Sequence, residues 1–535
     1  MMQSASALEG TPVTTSSVVS RSTLPYVVFA VLVAFEVAAI LAMNHGMLVY
    51  TLDDAYIHLA LAERIWAGTY GINLHEVAAP ASSFLWPFLL APFSRLQWFT
   101  LVPLVVNVIA ASLTVTVFVR EVRRALEREV LSLSAAMLVI GLILASSVVP
   151  VIFTGMEHSL QQLLAVVIVA GLIEEGRTGR APASLWLALL LIPLVRYDSL
   201  ALAAPALVYL LWRRHVGGSL TTGALAFAIL AGFSVYLVMH GRGPLPASVV
   251  AKSDVVRGGA APVALAIGVY TNLVLSPQGN IMVLGFVLAL AAGCDKRRVA
   301  TDRGLAFVLA TALALQFMFG KFGAYFRYEV ALLAATLVAL VHLYRAFLAR
   351  AFARGAALAP QLALVGVLGA VSIGYLFALV TTPLAANNIY DQQYQMHRFL
   401  TGYYHGPVAV NDLGWTALHN SSYVLDFGGL ASQEALQARM HQHNADWMRR
   451  LCQEHGVRLA MIYDGWFPEH PAEWIHVGSL RLSRFRITPA FPQVEFYATE
   501  PATAAAVRSE LETFGKSLPD HILLSLDGTT ATAQR

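Results

Sequence analysis

Charge is what this 535-residue sequence has least of. Asp, Glu, Lys and Arg make up 13% of it and apolar residues 57%, whereas a soluble domain carries about a quarter charged residues. That scarcity excludes a soluble globule as the main body and puts most of the chain in lipid. The net charge is only +3, and the cations sort by membrane side rather than forming a stripe, which sets nucleic-acid binding aside. Cysteine is equally sparse: Cys294 and Cys452 fall on opposite sides of the membrane in the topology below, so neither a disulfide framework nor a thiol metal motif is expected. No internal repeat is present, and no low-complexity block beyond the first 20 residues. His397, His405, His419, His441 and His443 lack metal-ligand spacing, so no metal ligands are assigned.

What is present is a series of apolar runs of roughly 17 to 25 residues, the length of a bilayer-crossing helix. They lie near 25–47, 100–119, 131–150, 157–173, 222–240, 278–294, 304–319, 327–348 and 359–381. The run 183–212 is broken by Pro193 and by Arg196-Tyr197-Asp198, so it reads as a helical hairpin with a polar tip, giving about eleven spans. Residues 1–24, rich in Ser and Thr, read as a disordered cytoplasmic N-terminus, and the first run is too long for a signal-peptide core, so it is a retained span.

Cytoplasmic loops carry the excess of Lys and Arg. With the N-terminus inside, Arg120, Arg123, Arg124, Arg128, Arg177, Arg180, Arg213, Arg214, Lys296, Arg297 and Arg298 are all cytoplasmic, and fewer cations remain outside. An odd span count then sends 385–535 to the far side, where composition turns polar and aromatic and short β-like runs (408–410, 459–462) alternate with helical sequence around 432–455. The expected architecture is a polytopic α-helical membrane protein, its transmembrane domain at 25–384, with a C-terminal extracytoplasmic α/β domain. A bacterial inner membrane with a periplasmic C-terminal domain fits that order.

The outer loop 51–99 opens on Asp53-Asp54-Ala55-Tyr56-Ile57-His58. Two carboxylates at a membrane boundary call for a function or a partner. One reading is a general base; the other is a helix N-cap starting an amphipathic segment, 55–66, that lies in the interface. Chemistry alone leaves both open. Trp86 and Trp98 are placed as interfacial anchors would be. Further polar groups recur at the outer span ends: Glu157, Arg196 with Asp198, Lys252, and Arg327 with Tyr328. Singly, each reads as a cap or a snorkelling cation. Together, acids and cations at one membrane surface are the parts for transfer from a lipid phosphate: a carboxylate deprotonates an acceptor hydroxyl while cations stabilise charge on the departing phosphate.

The ordered set Asp-Asp-Ala-Tyr-Ile at 53–57, Ser-Ser-x-Leu-Trp at 82–86, Thr-Gly-Met-Glu at 154–157, Arg-x-Asp at 196–198, Leu-Pro with a trailing Ala-Lys at 245–252, and Arg-Tyr at 327–328 resembles the GT-C superfamily of polyprenyl-phosphate-sugar glycosyltransferases, nearest the bacterial arabinofuranosyltransferase branch. The resemblance continues into 408–414 and 426–430. Where relatives show Gly-Tyr-Thr-Ser-Pro-Leu-Trp this chain has Ala-Ser-Ser-Phe-Leu-Trp, and Tyr197 stands in place of a Pro. The resemblance implies an inverting transfer with Asp53 as base and Asp54 as helper or alternative. It also implies donor-phosphate contacts at Lys252, Arg196 and Arg327, and substrate contacts at Tyr56, His58, Ser82, Ser83, Trp86, Glu157, Asp198 and Tyr328. The implied donor is a polyprenyl-phosphate sugar, arabinofuranose favoured, and the acceptor a glycan, glycolipid or surface protein. A divalent cation bridging the donor phosphate and Asp53 or Asp54 is compatible with this, and no other cofactor is implied. A transporter or flippase of a lipid-linked sugar is the rival reading, but it predicts repeated halves with broken helices at the midplane. In the C-terminal domain, Trp415, Tyr423, Trp447, Trp466 and Trp474 either stack sugars or pack the domain's own core.

Overall fold

The computed structural model describes residues 15–252, 262–353, 356–442 and 444–527. His443 lies outside them. Among the described residues, seven helices are long and apolar enough to cross a membrane, eight if the bent pair Val330–Leu343 and Arg345–Ala351 counts as one span. The first, α1 (Thr15–Met43), begins before the expected start at 25 and turns Val31 and Phe35 outward, as a lipid-facing helix does. The central helices Val102–Ala125 and His158–Thr178 instead bury small and branched side chains against each other and against Val330–Leu343. The chain is thus a multi-pass helical bundle followed by a C-terminal α/β domain.

Three of the eleven expected spans are shorter helices than these. Leu133–Ala145, Ala183–Val195 and Tyr197–Trp212 are apolar but short, because Ser146-Ser147 breaks the first and Arg196 the hairpin. A further apolar helix, Ala266–Leu275, falls in what reads as outer loop. The helix Leu358–Asp391 runs for 34 residues, about 50 Å, straight through the expected boundary at 385.

The C-terminal domain is a six-stranded mixed sheet in the order β2-β1-β3-β5-β4-β6. Its strands are β1 (Val408–Val410), β2 (Val424–Asp426), β3 (Leu459–Ile462), β4 (Ile475–Arg481), β5 (Gln493–Ala498) and β6 (Leu523–Leu526). β1 pairs parallel with β2 and β3, and the remaining pairs are antiparallel. Strand alternation assigns the two faces. Ala409, Ala460 and Ile462 pack under the helices Gln433–His441 and Asp446–Glu454. Val408, Val410, Leu459 and Met461 belong to a second core shared with Tyr50, Tyr56, Trp86 and Phe99 of the first outer loop. The loop and the domain therefore fold on each other. Trp415, Trp447 and Trp474 are buried, so the packing reading holds for them, while Trp466 is exposed.

Two expectations for the loop fail for the same reason. The helix α2 (Asp54–Trp66) does not lie in an interface: every residue from Ala55 to Ala62 is buried, because the C-terminal domain covers the side that would meet water. Trp86 is fully buried in the shared core and is no anchor, whereas Trp98 is half exposed.

Candidate functional site

The segment before α2 is pinned to the bundle: Thr51 donates from its amide and its hydroxyl to the Phe153 carbonyl at 2.9 and 3.2 Å, and the Tyr50 hydroxyl donates to the Thr100 carbonyl at 2.7 Å. Gly155 makes the opposite wall. Its φ of +67° suits glycine, and a Cβ there would stand 2.5 Å from the Tyr50 ring. This close approach sets Met156 and Glu157 beside the start of α2.

Asp53 does not cap its own helix. Its carboxylate reaches across to the C-terminal domain and accepts the backbone N–H groups of Gly414 at 2.7 Å and Trp415 at 2.9 Å. Only glycine fits at 414, since a Cβ would fall 2.0 Å from the Asp53 carbonyl oxygen. Burial pushes the Asp53 carboxyl well above the usual carboxylate range, the Asp412 and Asp54 carboxylates add to this, and the two amides oppose it.

Asp54 opens α2, where the helix dipole favours an anion. It accepts from Arg327 Nη1 at 3.2 Å and Nη2 at 3.3 Å. Arg327 is buried and Asp54 about a quarter exposed, so the carboxylate is the accessible member of the pair. Arg327 is presented by an unusual turn. Gly323, Ala324, Tyr325 and Phe326 all have positive φ, between +48° and +81°, a conformation that costs non-glycine residues about 1 to 2 kcal/mol each. The surroundings hold it: buried Glu329 accepts the Gly323 amide at 3.0 Å and the Tyr375 hydroxyl at 3.3 Å, and the Tyr325 hydroxyl donates to the Ala378 carbonyl at 3.1 Å.

A second group sits beside the first. Arg196, at the hairpin tip, donates to Glu157 at 2.8 Å and to Asp198 at 2.8 and 3.0 Å. Ser82 lies 3.4 Å from both Arg196 and Glu157, and His58 of α2 lies 3.4 Å from Glu157. Burial alone would discharge Glu157, but His58 and Arg196 hold its carboxyl below the ordinary range. The Tyr328 ring joins the groups, with the Arg196 guanidinium 5.4 Å and the Arg327 guanidinium 5.1 Å from its centroid. The other ends of the same helices carry separate ion pairs, Arg124 with Glu174 at 3.2 Å and Asp302 with Arg345 at 2.9 Å.

The structure thus brings Asp53, Asp54, His58, Ser82, Glu157, Arg196, Asp198, Arg327 and Tyr328 into one polar seam at one end of the bundle. Three residues expected to touch substrate serve the scaffold instead. Tyr56 is fully buried, takes the Tyr50 amide on its hydroxyl and stacks on Trp415 at 4.0 Å. Ser83 Oγ accepts the Trp86 amide and starts the next helix. Trp86 offers no open face. Lys252 ends the helix Ala247–Lys252, and its side chain lies outside the described residues. Sequence reading missed Gln161, which donates to Asp198 at 3.0 Å and Ser199 at 2.9 Å; its signal was its place one turn after Glu157. It also missed Asp412, Gly414 and Trp415 as site neighbours, although the 408–414 run marked the segment. Among the described residues no group of three or more His, Cys, Asp and Glu side chains is placed to hold a metal ion.

A family model described as a domain of unknown function (DUF8728) matches residues 387–497. No curated protein matches the chain. Among solved structures, the cryo-EM structure of the arabinofuranosyltransferase AftD from mycobacteria is similar, at 13% identity with a TM-score of 0.39 over 88% of this chain and 40% of that one. This chain therefore spans less than half the length of that relative.

Proposed function

We propose that this protein is a membrane glycosyltransferase of the GT-C type, moving a sugar, arabinofuranose favoured, from a polyprenyl phosphate to a glycan, glycolipid or surface-protein acceptor outside the cytoplasm. The observation that carries the reading is the paired seam: Asp54 with Arg327, and Glu157 with Arg196 and Asp198, joined over Tyr328 at the ends of apolar helices. A carboxylate set against guanidinium groups at a lipid boundary serves a reaction that takes a proton on one side and releases a phosphate on the other.

In this reading Asp54 is the base. Its carboxylate is about a quarter exposed and paired with Arg327, while both Asp53 oxygens are engaged by backbone amides. Asp54 takes the acceptor hydroxyl proton, and the acceptor oxygen bonds to the anomeric carbon. The bond from that carbon to the phosphate oxygen breaks, and its electron pair leaves with polyprenyl phosphate. Arg327 and Arg196 face the charge that grows on the phosphate, and Tyr328 keeps both guanidiniums in place. The sorting of cations supports a cytoplasmic N-terminus in a bacterial inner membrane, with the seam and the C-terminal domain on the far side.

The test is release of polyprenyl phosphate by purified protein, using a panel of polyprenyl-phosphate sugars and envelope glycan as acceptor. Wild type turns over at least one donor. Asp54→Asn loses turnover by about 10³-fold while still binding the donor, and Asp53→Asn loses less and melts at lower temperature. If wild type cleaves no donor, the transferase reading fails; if Asp53→Asn is the silent variant with unchanged melting, the two roles are exchanged.

A further inference from the structure

At the end of the bundle away from the seam, a second set of charged side chains gathers. The helix His158–Thr178 starts beside Glu157 and runs for 21 residues, about 30 Å, so that Arg177 in its last turn lies far from the seam. There it meets the last turns of Val102–Ala125, where Arg120, Arg123 and Arg124 share one face at i, i+3 and i+4 spacing, with Arg128 just beyond. These five arginines line one cavity of about 630 Å³, together with Tyr26 of α1 and Thr116. The acids lining it, Glu127 and Glu129, are two against five, and both are exposed.

Three of the arginines are engaged by the protein itself. Arg120 pairs with Glu121 at 2.7 Å, Arg124 with Glu121 and Glu174 at 3.2 Å each, and Arg128 donates to the Phe352 carbonyl at 3.1 Å. Among the described residues Arg123 and Arg177 have no acceptor and the Tyr26 hydroxyl has no partner. Helix C-termini favour cations, which accounts for the charge but not for its convergence on one cavity. A half-buried guanidinium such as Arg123, with five donors and no acceptor, calls for an anion.

The surrounding apolar surface narrows the kind of anion. On Val102–Ala125, Val105, Ile109 and Leu113 are exposed on successive turns, and Thr116 and Arg120 continue that line into the cavity. On α1, Val27, Val31 and Phe35 form a similar exposed row, with Tyr26 at its cavity end. Two lipid-facing rows thus run to one cationic cavity. A free phosphate would match the arginines alone, whereas a ligand with an anionic head and hydrocarbon chains matches both features.

We propose that this cavity binds the headgroup of an anionic phospholipid, with Arg123, Arg177 and the Tyr26 hydroxyl donating to its phosphate and the acyl chains lying along the two exposed rows. The sorting of cations puts the site in the cytoplasmic leaflet. It involves no sugar donor, so it stands or falls separately from the transferase reading.

The test is lipid retention by the full-length protein in detergent, measured by native mass spectrometry with phosphatidylglycerol, phosphatidylcholine and inorganic phosphate. Wild type retains phosphatidylglycerol in preference to phosphatidylcholine, and excess phosphate does not displace it. The double variant Arg123→Gln/Arg177→Gln retains it about 30-fold more weakly, the effect of removing two cations beside an anionic lipid, while its thermal midpoint without lipid stays at the wild-type value. The control Arg180→Gln/Arg214→Gln, which removes two exposed cations that do not line the cavity, changes retention less than twofold. No preference for the anionic lipid, or equal losses in the two double variants, overturns the inference. Displacement by free phosphate overturns it as well, and would make the cavity a site for a soluble anion.

Discussion

At the residue scale, the seam depends on the shape of its cations as much as on their charge. Arg327 reaches Asp54 with both terminal nitrogens while lying over Tyr328, which a lysine ammonium cannot reproduce. Arg327→Lys is therefore expected to lower kcat by about 10²-fold, comparable to losing one preorganised donor to a developing anion, with a smaller change in donor KM. Steady-state kinetics on the donor found active in the panel measure both. The same residues show how far sequence reading reaches. Asp54, Glu157, Arg196, Asp198 and Arg327 are legible because an ionisable group beside lipid is costly and needs a reason. The role of Asp53 is not, because its two amide donors lie 361 and 362 positions away. Nor is the burial of Trp86, since a tryptophan near a span end looks the same whether lipid or a folded domain covers it.

At the element scale, the contact between α2 and the turn after β1 has no slack. Gly414→Ala would place a methyl group against the Asp53 backbone, and the turn must move away, releasing both amide bonds to the carboxylate. The expected cost is about 2 kcal/mol of stability, seen as a lower thermal midpoint in detergent, together with lost turnover. Here sequence and structure differ instructively. The runs at 408–410 and 459–462 are strands as expected, and the hairpin at 183–212 turns at Arg196 as its proline and charges suggest. By contrast α2 carries apolar residues among charges, which reads as an interfacial helix. Its polar side chains in fact meet Arg327, Glu157 and the Tyr50 amide under a covering domain. Periodicity reports that a helix has two kinds of surface and says nothing about what each surface meets.

At the scale of the whole molecule, membrane bundle and C-terminal domain are one folding problem. The shared core takes Tyr50, Tyr56 and Phe99 from the first outer loop and Val408, Met461 and Phe496 from the sheet, and the helix Leu358–Asp391 passes from one part into the other without a break. A chain ending at residue 402 is expected to aggregate or disperse poorly in detergent, and residues 385–535 alone to be insoluble, because each exposes its half of that core. Size-exclusion profiles of the two pieces and of the full chain check this; a well-behaved separate domain would show that the shared core contributes little.

The distance along the chain between Asp53 and its partners at 414 and 415 also has a meaning in time. At 5 to 20 residues per second, synthesis reaches Gly414 roughly 20 to 70 s after Asp53. Through that interval the carboxylates of the first loop have been made and the turn that clasps Asp53 has not. A newborn chain halted anywhere in the bundle thus lacks the clasp on Asp53, and the proposed site is complete only once the segment around Gly414 has been made.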